Sequence, residues 1–470
     1  MKTNLLNISL LVLLSAVSLC GCSTDDEPVV TATDGTTLTV TARADGFASA
    51  DGTAQTGTPQ TRATESGYTT TFVKDDQIGV FAVKGGSVIT DCKNTPLTYD
   101  GAKWNGTVYK YAGATYFAYY PYTASMDDKT SVDGIVTAFN TAVTAATDQS
   151  TYAKYTACDL MTTTGDVSPT GTSLSFSFTH KMSLIEISLP VQKYKISNDA
   201  DAYEYSAPAL NSTFSLTPSS GNGATTIKPC PMGNGVYRYI VPASTSSATA
   251  TVSGAFDTAD GKTIEYSTQS SLSLSAGNYK RLNVTYSDAP STPLVRPLAA
   301  GDFYYSDGGI YSGDADDPPS EGCIGVVYCA ENSFITGYST NKNTDYTHGL
   351  VVALKDAGIS NWYNASSTAS GYGNMVAAPS GSSGWYLPNF DELRYICWGD
   401  FINRGIEGKK NLNTQFEKLD SGNVDCFGDD YYSSSLERAF NAVYRVPFSN
   451  GNDDWCPKDY NNIVRSSLAF

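Results

Sequence analysis

The N-terminal part of the chain alternates between polar and apolar positions in short stretches. Residues 37–42 place Leu38, Val40 and Ala42 at every second position, and this period of two predicts a half-buried strand. Asp100-Gly101 lies between two further strand-like runs and predicts a hairpin. Other strands are expected at residues 70–73, 78–83, 96–99 and 114–122.

A second series of short strands follows residue 158. Leu174, Phe176 and Phe178 alternate with Ser and Thr. Similar runs occupy residues 185–189, 237–242 and 282–286. Many short strands separated by Gly, Pro and Ser turns indicate β-sandwiches. The predicted fold is therefore mainly β, with two tandem β-sandwich domains at residues 36–157 and 158–287 and a linker at 288–296.

The last third has a different texture and is predicted to be an α+β domain at residues 297–470. Two short apolar strands are expected at 323–328 and 349–354. Asn389 followed by Glu392 predicts a capping box at the start of a helix. A second helix is indicated by the spacing of Leu412, Phe416 and Leu419.

The first residues predict export. Residues 5–19 are an apolar stretch behind a basic residue, as in a signal peptide. The stretch ends in Gly21-Cys22, which resembles a bacterial lipoprotein signal. Cleavage between Gly21 and Cys22 would then remove residues 1–21. Lipid on Cys22 would anchor the chain to the outer membrane through a tether at residues 22–35. The alternative is an ordinary secretory signal with incidental cysteines.

Composition removes several functional classes. The chain has 470 residues, 30 basic and 47 acidic side chains, and a net charge of −17, so binding to nucleic acid is disfavoured. Only 2 residues are histidine, which leaves few candidates for general-base catalysis or a metal cluster. No apolar run of about 18 residues follows the signal region.

The remaining chemical candidates have simpler explanations. His180 and His348 are expected to be structural or exposed residues. The acidic stretch at 313–317 could offer oxygens to Ca²⁺, but it lacks EF-hand spacing, and a solvated loop is the preferred interpretation. The eight cysteines after the signal contain no CxxC motif. We therefore predict no enzyme activity, no catalytic residue, no metal and no cofactor.

The order of several short motifs resembles the Bacteroidetes fimbrillin superfamily, the β-sandwich subunits of type V pili. The motifs are the lipoprotein signal and residues 61–64, 77–81, 96–99, 119–122, 178–182, 240–242 and 276–279. The exported part also begins with residues 23–27, which include Asp25, Asp26 and Glu27. This stretch resembles the acidic surface-export tag of Bacteroidetes lipoproteins, although a solvated linker is the alternative.

This resemblance implies a maturation and an assembly route. In such proteins an Arg-specific protease cuts a loop after the first strand, and a neighbouring stalk fimbrillin donates a replacement strand. Here the departing strand would contain Leu38, Val40 and Ala42, and the cut would fall between Arg62 and Ala63. The alternatives are Arg43 as the cleaved residue, or Arg62 as a plain loop charge.

The tail resembles a C-type-lectin-like domain, on the residues 384–393, 431–435 and 464–470. A subunit that ends in such a domain would accept a strand without donating one, which predicts a position at the fimbrium tip. There it would contact a receptor on a host or bacterial surface, and glycans are one class of receptor. The function expected is thus an adhesive pilus subunit. The alternatives are a pilus anchor subunit, or a surface glycan-binding lipoprotein of a nutrient-uptake system.

Overall fold

In the computed structural model of the protein, the first strand begins at Thr33, inside the predicted tether at 22–35. The described residues are 33–50, 64–66, 68–167, 170–218, 223–243, 250–258, 262–287, 289–290, 292–316, 318–320, 322–419 and 422–470. The fold is mainly β with sandwich-like sheets, as predicted.

One large sheet dominates the first part of the chain. Its elements are β1 (Thr33–Thr37), β2 (Thr39–Ala44), β3 (Ala48–Ser49), β4 (Thr64–Ser66), β5 (Thr69–Thr71), β6 (Gln77–Lys84), β7 (Ser87–Val88), β8 (Thr95–Tyr99), β9 (Trp104–Asn105), β10 (Tyr109–Tyr111), β11 (Thr115–Tyr120), α1 (Val132–Ala145), α2 (Tyr152–Ala157), β12 (Met161–Asp166) and β13 (Ser173–His180). The eight-stranded sheet has the order β2-β13-β12-β11-β6-β8-β9, with β7 beside β6. Separately, β1 pairs with β10 and β4 with β5.

Local sequence explains the strands and turns of this sheet. Leu174, Phe176 and Phe178 on β13 are buried, while the Ser residues between them are exposed, because successive side chains of a strand point to opposite faces. The predicted hairpin joins β8 to β9. Gly101 adopts a φ of 100° there, and the Asp100 carboxylate accepts hydrogen bonds from two following amides.

The predicted boundary between residues 157 and 158 divides this sheet and needs correction. β12 pairs with β11 over its whole length, and β13 pairs with β12 and β2. β12 and β13 therefore complete the first sheet although they follow residue 158, because β12 pairs with β11 and β13 pairs with β2. The strand pairing changes sheets between β13 and the next strand, near residue 181.

Two helices, α1 and α2, belong to the apolar cluster that joins the first sheet to the second part of the chain, and neither was predicted. The Ser131 side chain caps α1 by accepting a hydrogen bond from the Gly134 amide. Ile135, Phe139 and Val143 are buried on one face of α1. Their spacing of four is the helical signal that the sequence does contain.

The second part of the chain is a sandwich with a small additional sheet. Its strands are β14 (Met182–Ser188), β15 (Val191–Lys195), β16 (Glu204–Pro208), β17 (Leu210–Pro218), β18 (Thr225–Ile227), β19 (Cys230–Pro231), β20 (Val236–Pro242), β21 (Ala250–Asp257), β22 (Thr263–Ser267), β23 (Asn278–Asn283) and β24 (Leu294–Val295). The sheets β19-β20-β14-β23-β3 and β18-β17-β21-β22 enclose a core that includes Ile185, Ile187 and Phe256. The predicted linker contributes β24, and the small additional sheet has the order β16-β15-β24.

The third part of the chain combines strands with helices. Its elements are β25 (Phe303–Tyr305), β26 (Ile310–Tyr311), β27 (Cys323–Cys329), α3 (Asn332–Tyr338), β28 (Leu350–Ser360), α4 (Trp362–Gly371), α5 (Phe390–Trp398), α6 (Glu407–Phe416), β29 (Tyr431–Ala439), β30 (Ala442–Pro447), β31 (Asp454–Pro457) and β32 (Asn462–Ala469). Its eight-stranded sheet has the order β26-β25-β27-β28-β32-β29-β30-β31. The capping box of Asn389 and Glu392 is present at the start of α5, as predicted.

Apolar clusters connect the three parts. One cluster joins Phe81 and Phe117 of the first sheet to Leu184 and Ile240 of the second part. Another joins Tyr205 to Phe470 at the end of the chain. Within the described ranges, no helix combines the length and the hydropathy that crossing a membrane would require.

Candidate functional site

The strand β2 occupies one edge of the first sheet and runs parallel to β13. Thr39 lies opposite Ser173, and Ala44 lies opposite Phe178. The Thr39 amide donates to the Thr172 carbonyl at 2.8 Å, and the Asp45 amide donates to the Phe178 carbonyl at 2.9 Å. The outer edge of β13 is therefore covered by a segment that precedes it by more than a hundred residues.

The two faces of β2 have different surroundings. Leu38 and Val40 are buried at 4% and 7% exposure, within the core that the first sheet covers. On the outward face, Thr41 and Arg43 contact hydroxyl groups of β13. The alternation read from the sequence thus matches the burial of this strand.

After β2, the chain crosses over a later segment at Gly46. A Cβ atom on Gly46 would lie 2.2 Å from the Tyr68 carbonyl oxygen and 2.9 Å from the Thr69 Cα. The Phe47 amide then donates to that same Tyr68 carbonyl at 2.8 Å. Glycine is required at the crossing because two backbones approach each other more closely than a side chain allows.

Phe47 is buried against His180 beyond this crossing. The two rings stack with centroids 3.8 Å apart, and Phe47 is 5% exposed. The His180 ring is positioned by Asp159 at 2.7 Å from Nδ1 and by the Asp45 carbonyl at 2.9 Å from Nε2. His180 is therefore a structural residue, as expected, and it contacts the N-terminal segment directly.

The segment ends by joining the second sheet. The Ala48 amide donates to the Gly277 carbonyl at 2.8 Å, and the Ala50 amide donates to the Tyr279 carbonyl at 3.0 Å. These contacts make β3 an edge strand beside β23. Only two residues enter the ladder and no alternation of polar and apolar residues marks them, so the sequence pattern does not indicate this strand. We call residues 38–50 the N-terminal segment, and the surface that it covers the groove.

Tyr68, which follows the predicted cleavage site, has side-chain contacts of its own with the second part of the chain. The Tyr68 hydroxyl donates to Glu186 at 2.8 Å, and the Tyr68 ring stacks on Tyr279 with centroids 3.5 Å apart. Glu186 is fully buried and also pairs with Arg238 and Arg281. Burial, with the charge of Glu186, raises the pKa of Tyr68 well above its usual range. The Tyr68 side chain is thus held by Glu186 and Tyr279, which lie outside the N-terminal segment.

The residues predicted for lipidation and cleavage lie outside the described part of the chain. They are Gly21, Cys22, Arg62 and Ala63. The described chain resumes at Thr64, in β4.

The strand β32 lies in the interior of its sheet. It pairs antiparallel with β28 and parallel with β29. Beyond it, the Phe470 carbonyl accepts a hydrogen bond from the His348 amide at 2.8 Å, and Phe470 is 2% exposed. Removing β32 would therefore separate β28 from β29 and open the core of the C-terminal region.

A family model described as fimbrillin-like matches residues 61–296, half of the chain. The chain belongs to the fimbrillin-like family. Among curated relatives, this fimbrillin is 28% identical to a Bacteroides ovatus protein with the provisional name fimbrium tip subunit Fim1C, over 83% of this chain and 86% of that protein. The prediction of a fimbrillin-type pilus subunit is thereby confirmed.

Solved structures similar to this fimbrillin include two from Bacteroides species. A fimbrial protein of Bacteroides ovatus is 22% identical with a TM-score of 0.44, covering 93% of this chain and 99% of that one. A protein of Bacteroides uniformis, provisionally described as a cell adhesion protein, is 19% identical with a TM-score of 0.31, covering 46% and 89%.

The chemical candidates of the fimbrillin have structural partners. His348 stacks on Tyr203 with centroids 4.2 Å apart, and burial lowers its pKa. Burial raises the pKa of Cys323 and Cys329 to about 12. Over the described ranges, no group of three or more His, Cys, Asp or Glu side chains is placed to hold a metal ion.

The motifs that resemble a lectin-like domain meet around β32. Tyr386 and Ser467 exchange two backbone hydrogen bonds of 2.9 Å, and the Ser435 amide donates to the Pro388 carbonyl. Several large apolar side chains on this region are exposed, namely Ile359, Tyr363, Ile402, Tyr431, Leu436, Phe440, Trp455 and Tyr460. The Arg438 guanidinium lies 4.5 Å from the centre of the Trp455 ring.

Proposed function

We propose that this fimbrillin is the tip subunit of an adhesive surface pilus. The observation that carries this position is the placement of β32, which is paired on both sides within its own sheet. A strand in that place cannot be given to a neighbour without opening the core around it. The name of the Bacteroides ovatus relative supports the same position.

The N-terminal segment supplies the acceptor half of the proposal. The chain is exported as a lipoprotein through Cys22, after removal of the peptide that ends at Gly21. Cleavage between Arg62 and Ala63 then disconnects the segment from the rest of the chain. Its departure uncovers the edge of β13 and the core beneath Leu38 and Val40, and a strand from a stalk fimbrillin covers them again. Exposed apolar surface and unpaired backbone groups make the open groove unstable until it is filled.

Residues 297–470 form the part that contacts the receptor in this proposal. We assign them to a C-type-lectin-like domain, on the three motifs that converge at β32. The exposed aromatic side chains, Trp455 among them, are suited to stacking against sugar rings or a protein surface. The two sandwich domains before it would divide near residue 181 rather than at 157/158.

Mapping the N-terminus of the chain in purified pili tests the proposal. We expect the chain to begin at Ala63, and an Arg62→Ala variant to keep its lipid and stay out of pili. Arg43→Ala is the matched control, since Arg43 is exposed on β2, and it should assemble normally. Gold-labelled antibody should mark the distal end of the fibre.

Two outcomes would replace the proposal. Label at the pilus base, with an intact Cys22 terminus in assembled fibres, would assign the anchor subunit, which keeps the N-terminal segment in its groove. Tight binding of a defined polysaccharide by a chain that never enters pili would assign a nutrient-uptake lipoprotein.

A further inference from the structure

We infer that the groove selects its strand by a glycine followed by an aromatic residue, at the positions now held by Gly46 and Phe47. This inference rests on the proposed function, in which a donated strand replaces the N-terminal segment. It specifies the partner: a stalk subunit whose donor strand carries alternating apolar residues and then this pair.

The requirement for glycine comes from backbone atoms that cannot move aside. The atoms nearest to an added Cβ on Gly46 are the carbonyl oxygen of Tyr68 and the Cα of Thr69, so no side-chain rotation relieves the contact. Tyr68 is held in place by Glu186 and Tyr279. Any strand that follows the same path must therefore pass this point without a side chain.

The requirement for an aromatic ring comes from His180. This ring is buried at 3% exposure, and its orientation is fixed by Asp159. Phe47 covers its face. A small residue in the donor would leave a cavity over the imidazole ring, whereas a flat ring fills it.

The pair also solves a problem of register. The apolar positions 38, 40, 42 and 44 repeat every second residue, so a strand shifted by two residues would present the same pattern to the groove. Such a shift places a side chain at the crossing and removes the ring from His180. The alternation thus selects the face of the strand, and the glycine–aromatic pair selects its position along β13.

The first test uses the intact chain and requires no cleavage. Amide hydrogen exchange of residues 38–50 and 172–180 is compared among wild type, Gly46→Ala and Phe47→Ala. We expect exchange to accelerate at least about 10-fold in both variants. Gly223→Ala is the control, because it adds the same methyl group where no atom lies within 4 Å, and its exchange should match wild type. Unchanged exchange in Gly46→Ala would overturn the inference.

The second test offers the strand in trans. A fluorescein-labelled synthetic peptide of residues 36–50 is added to the Gly46→Ala chain, whose own segment is weakened. We expect it to bind, and the Phe47→Ala peptide to bind about 100-fold more weakly. A Thr41→Ala peptide, altered on the exposed face, should bind as the original does. Equal binding of all three peptides would refute selection by the aromatic residue.

These results are separable from the proposed function. If both tests succeed but the chain is absent from pili, the groove selects as inferred and the assignment as a tip subunit fails. If the chain assembles at the tip while Gly46→Ala changes nothing, the assignment stands and the inference fails.

Discussion

Replacing Leu38 with alanine should weaken the hold of the groove on the N-terminal segment. Leu38 is 4% exposed and belongs to the core beneath the first sheet. Burying a leucine rather than an alanine in such a place contributes about 2–5 kcal/mol, and a site at a sheet edge falls in the lower part of that range. We therefore expect a loss of about 2–3 kcal/mol.

Local release of the segment exposes the same side chain as global unfolding does. The loss should therefore appear in the free energy of local opening, where about 2–3 kcal/mol corresponds to a 30- to 150-fold increase in amide exchange. Mass spectrometry of deuterium uptake would follow residues 38–50 and the partner strand β13. Urea unfolding would report the global free energy in parallel.

Thr41→Ala provides the matched control on the opposite face of β2. Thr41 is exposed, and its hydroxyl lies 2.9 Å from Ser175 at the surface, so we expect less than about 0.5 kcal/mol. Equal acceleration of exchange in the two variants would refute the reasoning, because the segment would then not be held by its buried face.

Three further predictions concern other parts of the chain. Glu186→Gln should lower the free energy of unfolding by about 3–5 kcal/mol in urea, because Arg238 loses its buried partner; a loss below about 1 kcal/mol would contradict this role. Burial lowers the pKa of His348, so as pH falls below about 6.5 the His348 ring is protonated in the unfolded chain before it is protonated in the folded chain. Protonation therefore favours unfolding. Wild type should therefore lose more Tm between pH 7 and pH 5 than His348→Phe, which keeps a ring on Tyr203; parallel profiles would exclude this. A maleimide should label Cys426 before the other cysteines after residue 90, since Cys426 is exposed and the rest are buried; early modification of Cys323 would contradict the structure.

Much of the N-terminal site was predictable from local pattern. The alternation of Leu38, Val40 and Ala42 marks both the strand and its buried face, because side chains on a strand have a period of two. Gly46 and Phe47 left no such signal. Their roles depend on Tyr68 and His180, whose approach is a matter of tertiary structure.

Sequence alone determined the local elements of this protein: the strand β2, the hairpin at Asp100-Gly101 and the capping box at Asn389. Each depends on residues within a few positions of one another. The tertiary structure decided the pairings, placing β2 on β13, adding β12 and β13 to the first sheet, and putting β32 between β28 and β29. Backbone hydrogen bonds between strands are chemically alike, so the choice of partner follows from which buried surfaces fit together over the whole chain.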